Sequence, residues 1–283
     1  MIQTLKNFNE LVMFKHTVFS IPFIMIAMVV AAQGWFGFTL LILGLFAAVT
    51  ARNFAMGFNR YIDRQFDKDN PRTASRPSVD GRISPFAMVL FILVNAVLFI
   101  AVSFLINDLA FKLSIPFLII LGAYSYFKRF SALAHLFLGV ALALAPIAGA
   151  IAILGTTPIW VYYLALGVMF WVAGFDLLYA LQDMEFDKKR GLHSIPAKYG
   201  LEGTLRISRT FHFLTAVFWT LFALSADVGI LTYIAVGVSS AVLFWEQYIV
   251  TQGLDKINRA FFTANGYLGI VFLIMVILDF AWK

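Results

Sequence analysis

The sequence predicts an all-α, polytopic integral membrane protein, with about nine transmembrane helices in one bundle around a central cavity. Three observations predict it. Of 283 residues, 61% are apolar and only 13% are charged, where a soluble domain is about half apolar and a quarter charged. Several apolar runs exceed the roughly 18 residues that mark a membrane-spanning helix. The Lys and Arg residues alternate between successive connections, as the positive-inside rule requires of a multispanning chain.

The spans are read in order at 11–33, 36–60, 84–106, 109–127, 131–153, 158–181, 205–225, 228–249 and 260–282. Residues 1–10 are polar, and the run behind them is long enough to span and is followed by eight more. No cleavable signal peptide is therefore expected. Pro22, Pro116 and Pro146 fall within the first, fourth and fifth spans and are expected to kink them. Gly57, Gly149 and Gly174, in the second, fifth and sixth, are expected to permit close helix packing. The connections leave no room for a soluble domain, so residues 1–283 read as a single transmembrane domain. Its two longest connections are 61–83 and 182–204.

The basic residues orient the bundle. Lys6, Lys15, Arg60, Arg64, Lys68, Arg72, Arg76, Arg82, Lys128, Arg129, Lys188, Lys189, Arg190, Lys198, Arg206, Arg209, Lys256 and Arg259 fall on one side. The opposite connections, near 34, 107, 155 and 226, carry only Lys112, and Lys283 ends the chain. This places the N-terminus and both long connections in the cytoplasm, in a bacterial inner or plasma membrane, with the C-terminus opposite. The net charge of +6 thus reports topology, and nucleic acid is not an expected partner. The absence of cysteine excludes thiol catalysis, iron–sulfur clusters and disulfides.

Topology does not explain the carboxylates. Residues 57–77, GFNRYIDRQFDKDNPRTASRP, space Asn59, Asp63 and Asp67 four apart. On a continuing helix they form a stripe about 80° wide and about 12 Å long. Arg52, seven residues earlier, lies on the same stripe, one to two turns deeper. The second long connection opens with DLLYALQDMEFDKKRG, where Asp176, Asp183 and Asp187 share a face by the same arithmetic, with Tyr179 at its edge. Such acids at membrane depth are costly and mark functional sites. Carboxylates facing each other also repel, so a cation belongs between them. Carboxylates and an Asn carbonyl suit Mg²⁺, which leaves positions for substrate phosphates. Arg72, Arg76, Lys188, Lys189, Arg190 and Lys198 nearby suit phosphate. A polyprenyl diphosphate fits a site of this kind that opens to membrane lipid.

Taken together, Asn59-x3-Asp63-x3-Asp67 with NPRTASRP, and Asp176-x2-Tyr179-Ala180-x2-Asp183-x3-Asp187, resemble the UbiA family of intramembrane aromatic prenyltransferases. The likeness runs over essentially the whole chain. SIPF at 20–23, YSYFKRFS at 124–131 and GLHSIPAKYG at 191–200 resemble the branch acting on hydroxylated aromatic acids, 4-hydroxybenzoate or 1,4-dihydroxy-6-naphthoate, in ubiquinone or menaquinone synthesis. ARNFAM, SVDGRIS and GFDLLYALQD are more similar to the naphthoate type.

The resemblance implies that Asn59, Asp63, Asp67, Asp183 and Asp187 hold two Mg²⁺ ions on the diphosphate. It implies diphosphate contacts from Arg72, Arg76, Tyr124 and Lys128, the last two sharing a helix face. Lys15 stands where relatives commonly carry arginine, so a contact there is carried over only across that change. Arg52 would pair with the acceptor carboxylate, and Asp176 would orient the acceptor or take a proton. Phe54, Phe58, Tyr126 and Tyr179 are candidates to face an allylic cation. The remaining acids, Asp69, Asp80, Glu185 and Glu202, read as solvated, and the four histidines as satisfied interface groups. Two other classes are weighed. A transporter or channel would place its acids near the midplane, with broken helices or repeats. A phosphatidyl-group transferase needs an Asp-Gly and Ala-Arg arrangement that residues 50–70 lack. Haem O and chlorophyll branches of the same superfamily are nearer competitors.

Overall fold

The computed structural model describes residues 2–13, 19–253, 256–257 and 264–283. Its helices are α1 (Ile2–Val12), α2 (Ile21–Ala32), α3 (Phe38–Asp69), α4 (Pro85–Ile106), α5 (Asp108–Ala123), α6 (Ala134–Leu154), α7 (Ile159–Ala180), α8 (Met184–Arg190), α9 (Ile195–Ser225), α10 (Ile230–Thr251) and α11 (Asn265–Trp282). Among the described residues, eight helices are long and apolar enough to cross a membrane, α7 and α8 counting as one. The expected span 11–33 is represented by α2, whose 12 residues reach about 18 Å. Pro22 sits in the first turn of α2, where a missing N–H costs nothing, so it starts that helix instead of kinking it. Pro116 and Pro146 lie inside α5 and α6.

The chain forms two compact units. The first is Met1–Thr17 with Leu41–Tyr126. Here α1 lies by the start of α4: Leu11, Ile83 and Met88 are buried together, and Phe8 stacks on Phe91 at 4.7 Å. Arg82 holds Glu10 at 2.6 Å and Asp80 at 2.6 Å. These bonds, Glu10 first, push its guanidinium further above its ordinary range. Helices α3 and α4 meet where Asn53 donates to Asn95 at 3.1 Å. At Gly57 a Cβ would stand 3.1 Å from Ile92, so the close approach expected there is present.

The second unit is Val18–Leu40 with Phe127–Lys283. Phe23, Trp171, Trp219 and Phe272 are fully buried, from α2, α7, α9 and α11. Phe23 stacks on Trp219 at 5.4 Å, and Trp219 meets Phe272 edge-on at 5.3 Å. Small residues allow this packing: a Cβ on Gly149 would stand 2.5 Å from the Ile24 carbonyl, and one on Gly174 would strike His212. Several polar groups in the core pair with one another, as an interior without water favours. Trp171 Nε1 donates to Asn265 (2.6 Å), and Asn265 donates to Glu246 (2.7 Å). Gln247 donates to Ser208 (2.7 Å), which donates to the Gly174 carbonyl (2.8 Å). At the other end of α11, buried Asp279 takes the N–H groups of Gly229 (2.6 Å) and Leu231 (3.0 Å) and the Thr232 hydroxyl (2.6 Å). It thereby caps α10, whose first N–H groups have no partner within the helix. Helix α9 is broken at Gly200, whose φ of 66° is left-handed backbone that favours glycine.

Candidate functional site

The first acidic stripe lies on one unbroken helix. α3 runs through Asp69, so Asn59, Asp63 and Asp67 keep the i, i+4, i+8 geometry. The expected connection 61–83 therefore begins only at Asn70. Asn59 Nδ2 donates to Asp63 Oδ2 at 3.1 Å and lies 3.4 Å from the Ser125 hydroxyl. Both contacts use the Asn59 amide nitrogen. Asp67 is buried, and both of its oxygens accept from Arg76, at 2.6 and 2.7 Å. That pairing follows from NPRTASRP. Asn70 accepts from the Arg72 backbone N–H (2.9 Å), the Thr73 hydroxyl donates to the Asp67 carbonyl (2.9 Å), and the turn folds Arg76 back over the helix end. Arg76 is thus placed on Asp67, and Arg72 is exposed.

Deeper on α3, Arg52 Nη2 donates to the backbone carbonyls of Val12 (3.4 Å) and Met13 (3.2 Å). Its Nε is buried without a partner. No acid of the described residues neutralises it, so the duller role of cancelling a buried carboxylate is not the one seen. A buried guanidinium N–H without an acceptor suits a planar carboxylate. Phe54 and Phe58 stack at 5.9 Å, and Phe58 meets Tyr126 at 6.0 Å, so three of the four candidate aromatic faces are brought together.

Two expectations need correction. Tyr124 and Lys128 were expected to share a helix face, but residues Tyr124–Arg129 form a 3₁₀ helix. With three residues per turn, Tyr124 eclipses Phe127 instead. In the second unit α7 ends at Ala180, Leu181–Asp183 form a 3₁₀ turn, and α8 begins at Met184. The tighter turn shifts the phase, so the single-face arithmetic for Asp176, Asp183 and Asp187 does not carry through. Asp187 is nevertheless buried, in the segment that also exposes Lys188, Lys189 and Arg190. Lys15 and His16 lie outside the described residues, as does the side chain of Lys128.

Asp176, expected to orient the acceptor or take a proton, has a side-chain partner. Its Oδ2 meets His135 Nδ1 at 2.7 Å, and His135 is buried. His212 is likewise buried and contacts Gln247 at 3.0 Å. Arg60 was also missed as a buried group, with Nη2 3.0 Å from the Met13 sulfur. Its position next to Asn59 was the only signal in the sequence. Among the described residues no three His, Asp or Glu side chains converge. The residues still fit Mg²⁺, which is usually held by one or two carboxylates and completes its shell with phosphate oxygens and water.

Comparisons with known proteins bear on the family and the fold. The model of the UbiA prenyltransferase family matches residues 20–274. A 4-hydroxybenzoate octaprenyltransferase of Herminiimonas arsenicoxydans is 29% identical over 256 residues, 90% of this chain and 89% of its own. One from Francisella tularensis subsp. novicida is 30% identical over 258 residues, again 90% and 89%. The apo structure of a UbiA homolog from Aeropyrum pernix K1 superposes with a TM-score of 0.86 at 29% identity, over 93% of this chain and 98% of its own. A UbiA homolog from Archaeoglobus fulgidus, bound to DMAPP and Mg²⁺, shares the fold with a TM-score of 0.78 at 22% identity, over 98% and 100%.

Proposed function

We propose that this chain, which belongs to the UbiA prenyltransferase family, transfers a polyprenyl group from its diphosphate to a hydroxylated aromatic carboxylic acid, 4-hydroxybenzoate being the acceptor its relatives favour. The observation that carries the choice of acceptor is Arg52, on the stripe of Asn59, Asp63 and Asp67, with a buried Nε–H that no group of the described residues accepts. An acceptor carboxylate at Arg52 would fix the ring in the same column as the diphosphate.

Asn59, Asp63, Asp67, Asp183 and Asp187 are the proposed magnesium ligands, with two ions the expected number. Arg72, Arg76, Tyr124, Lys128 and Lys15 are the proposed diphosphate contacts. The chemistry that bound magnesium supplies is neutralisation of the charge growing on the leaving diphosphate. Arg76 adds a positive charge beside Asp67. The allylic C–O bond breaks, and the faces of Phe54, Phe58 and Tyr126 offer their quadrupoles to the allylic cation while keeping water away. A ring carbon next to the hydroxyl forms the new C–C bond, and its proton is lost to restore aromaticity. Asp176 is the proposed group on the acceptor side. No covalent enzyme intermediate is needed, in keeping with a chain without cysteine.

The test is an assay of the purified protein in nanodiscs with Mg²⁺ and a radiolabelled polyprenyl diphosphate. 4-Hydroxybenzoate and 1,4-dihydroxy-6-naphthoate are offered in parallel. A labelled lipophilic product from one acceptor, absent with EDTA and with Asp63→Ala, is expected. Product independent of magnesium would remove the metal site. No product from either acid would move the acceptor to another chemical class.

A further inference from the structure

We infer that His135 is a positioning residue for Asp176. The two come from different helices of the second unit, α6 and α7, and their side chains meet at 2.7 Å between Nδ1 and Oδ2. His135 is 1% exposed, whereas Asp176 keeps 23% of its side-chain surface open. The histidine is therefore the buried member and the carboxylate the presented one. One turn along α6 a Cβ at Gly139 would strike the Met169 backbone, so the two helices approach closely enough for a short side chain to bridge them.

The inference takes Asp176 as the acceptor: an ionised carboxylate only accepts hydrogen bonds, which assigns the shared proton to His135 Nδ1. Nε2 is buried and without a partner, so His135 makes no other polar contact that would explain its place in an apolar interior. One oxygen of Asp176 is thus held, the carboxylate plane is fixed, and the second oxygen is the one that a substrate hydroxyl can use. This rests on the acceptor-side role proposed for Asp176. It assigns His135 no contact with substrate.

The experiment compares His135→Ala, His135→Asn, Asp176→Asn and the double variant His135→Ala/Asp176→Asn, by kcat and by KM for each substrate. His135→Ala is expected to lower kcat by about 10- to 100-fold, the usual loss when the outer partner of a working ligand is removed. Its KM for the polyprenyl diphosphate should stay within about twofold. His135→Asn, whose amide can still donate, should recover most of the loss. In the Asp176→Asn background His135→Ala should add little, because coupled groups are non-additive. Additive losses, or an Asn variant as poor as Ala with equal loss of thermal stability, would reduce His135 to a packing residue. A wild-type chain that prenylates neither acid would instead overturn the function reading. The pair is then read by ¹⁵N-histidine NMR in nanodiscs. A proton on His135 Nδ1 whose shift changes in Asp176→Asn supports the inference, and a signal indifferent to that substitution overturns it.

Discussion

At the residue scale the site turns on which side chains are already spoken for. Arg52 gives one nitrogen to the end of α1 and keeps Nε for something else. Lysine at this position would preserve the charge but lose the planar fork that fits a carboxylate. A hydrogen bond to a charged group is worth about 1.5–3 kcal/mol. Arg52→Lys is therefore expected to raise the acceptor KM at least about tenfold, with the KM for polyprenyl diphosphate unchanged. Equal rises in both constants would detach Arg52 from the acceptor. The column of Asn59, Asp63, Asp67 and Arg52 was legible because four-residue spacing and helical pitch are the same information. His135 was not legible. It is a lone polar residue at the head of an apolar run, and its partner is 41 positions away in the chain.

At the element scale the apolar runs locate helices well where lipid sets both ends. The run 84–106 becomes α4 at Pro85–Ile106, and 158–181 becomes α7 at Ile159–Ala180. They fail where a helix continues past the hydrophobic limit. α3 extends to Asp69 and α9 starts at Ile195, because backbone hydrogen bonding does not stop where hydropathy does. The 3₁₀ segments at 124–129 and 181–183 were invisible for a related reason: they change the pitch without changing the composition. Caps set by distant residues are equally hidden. Asp279 caps α10 from 50 residues beyond Gly229. Removing it leaves N–H groups of that turn without an acceptor in a nonaqueous setting. Asp279→Ala is expected to cost about 2–3 kcal/mol, seen as a lower thermal unfolding midpoint in detergent. Asp279→Asn, which keeps an acceptor, should lose less. Matching midpoints for both variants and the wild-type protein would show that the cap carries no weight.

At the scale of the whole molecule, the open question set by the sequence is sidedness. The Lys and Arg pattern assigns both motif-bearing segments to the cytoplasm, and this assignment requires the chain to cross the membrane between its N-terminus and residue 35. α2 alone, at about 18 Å, is shorter than the roughly 30 Å hydrocarbon layer. The crossing must therefore recruit residues before Ile21 or occur where the bilayer thins. Because the chain has no cysteine, single cysteines can be placed without background. Gln3→Cys, Ser75→Cys and Lys189→Cys are expected to react with a membrane-impermeant maleimide only when the cytoplasmic face is opened. Trp35→Cys and Asp227→Cys, at exposed positions, should react in intact cells whose outer barrier has been removed. Labelling of Gln3→Cys and Trp35→Cys from the same side would mean that the first segment lies along the interface. The eight remaining spans would then place the C-terminus on the same side as the N-terminus, and the charge bias would have to be explained by something other than topology.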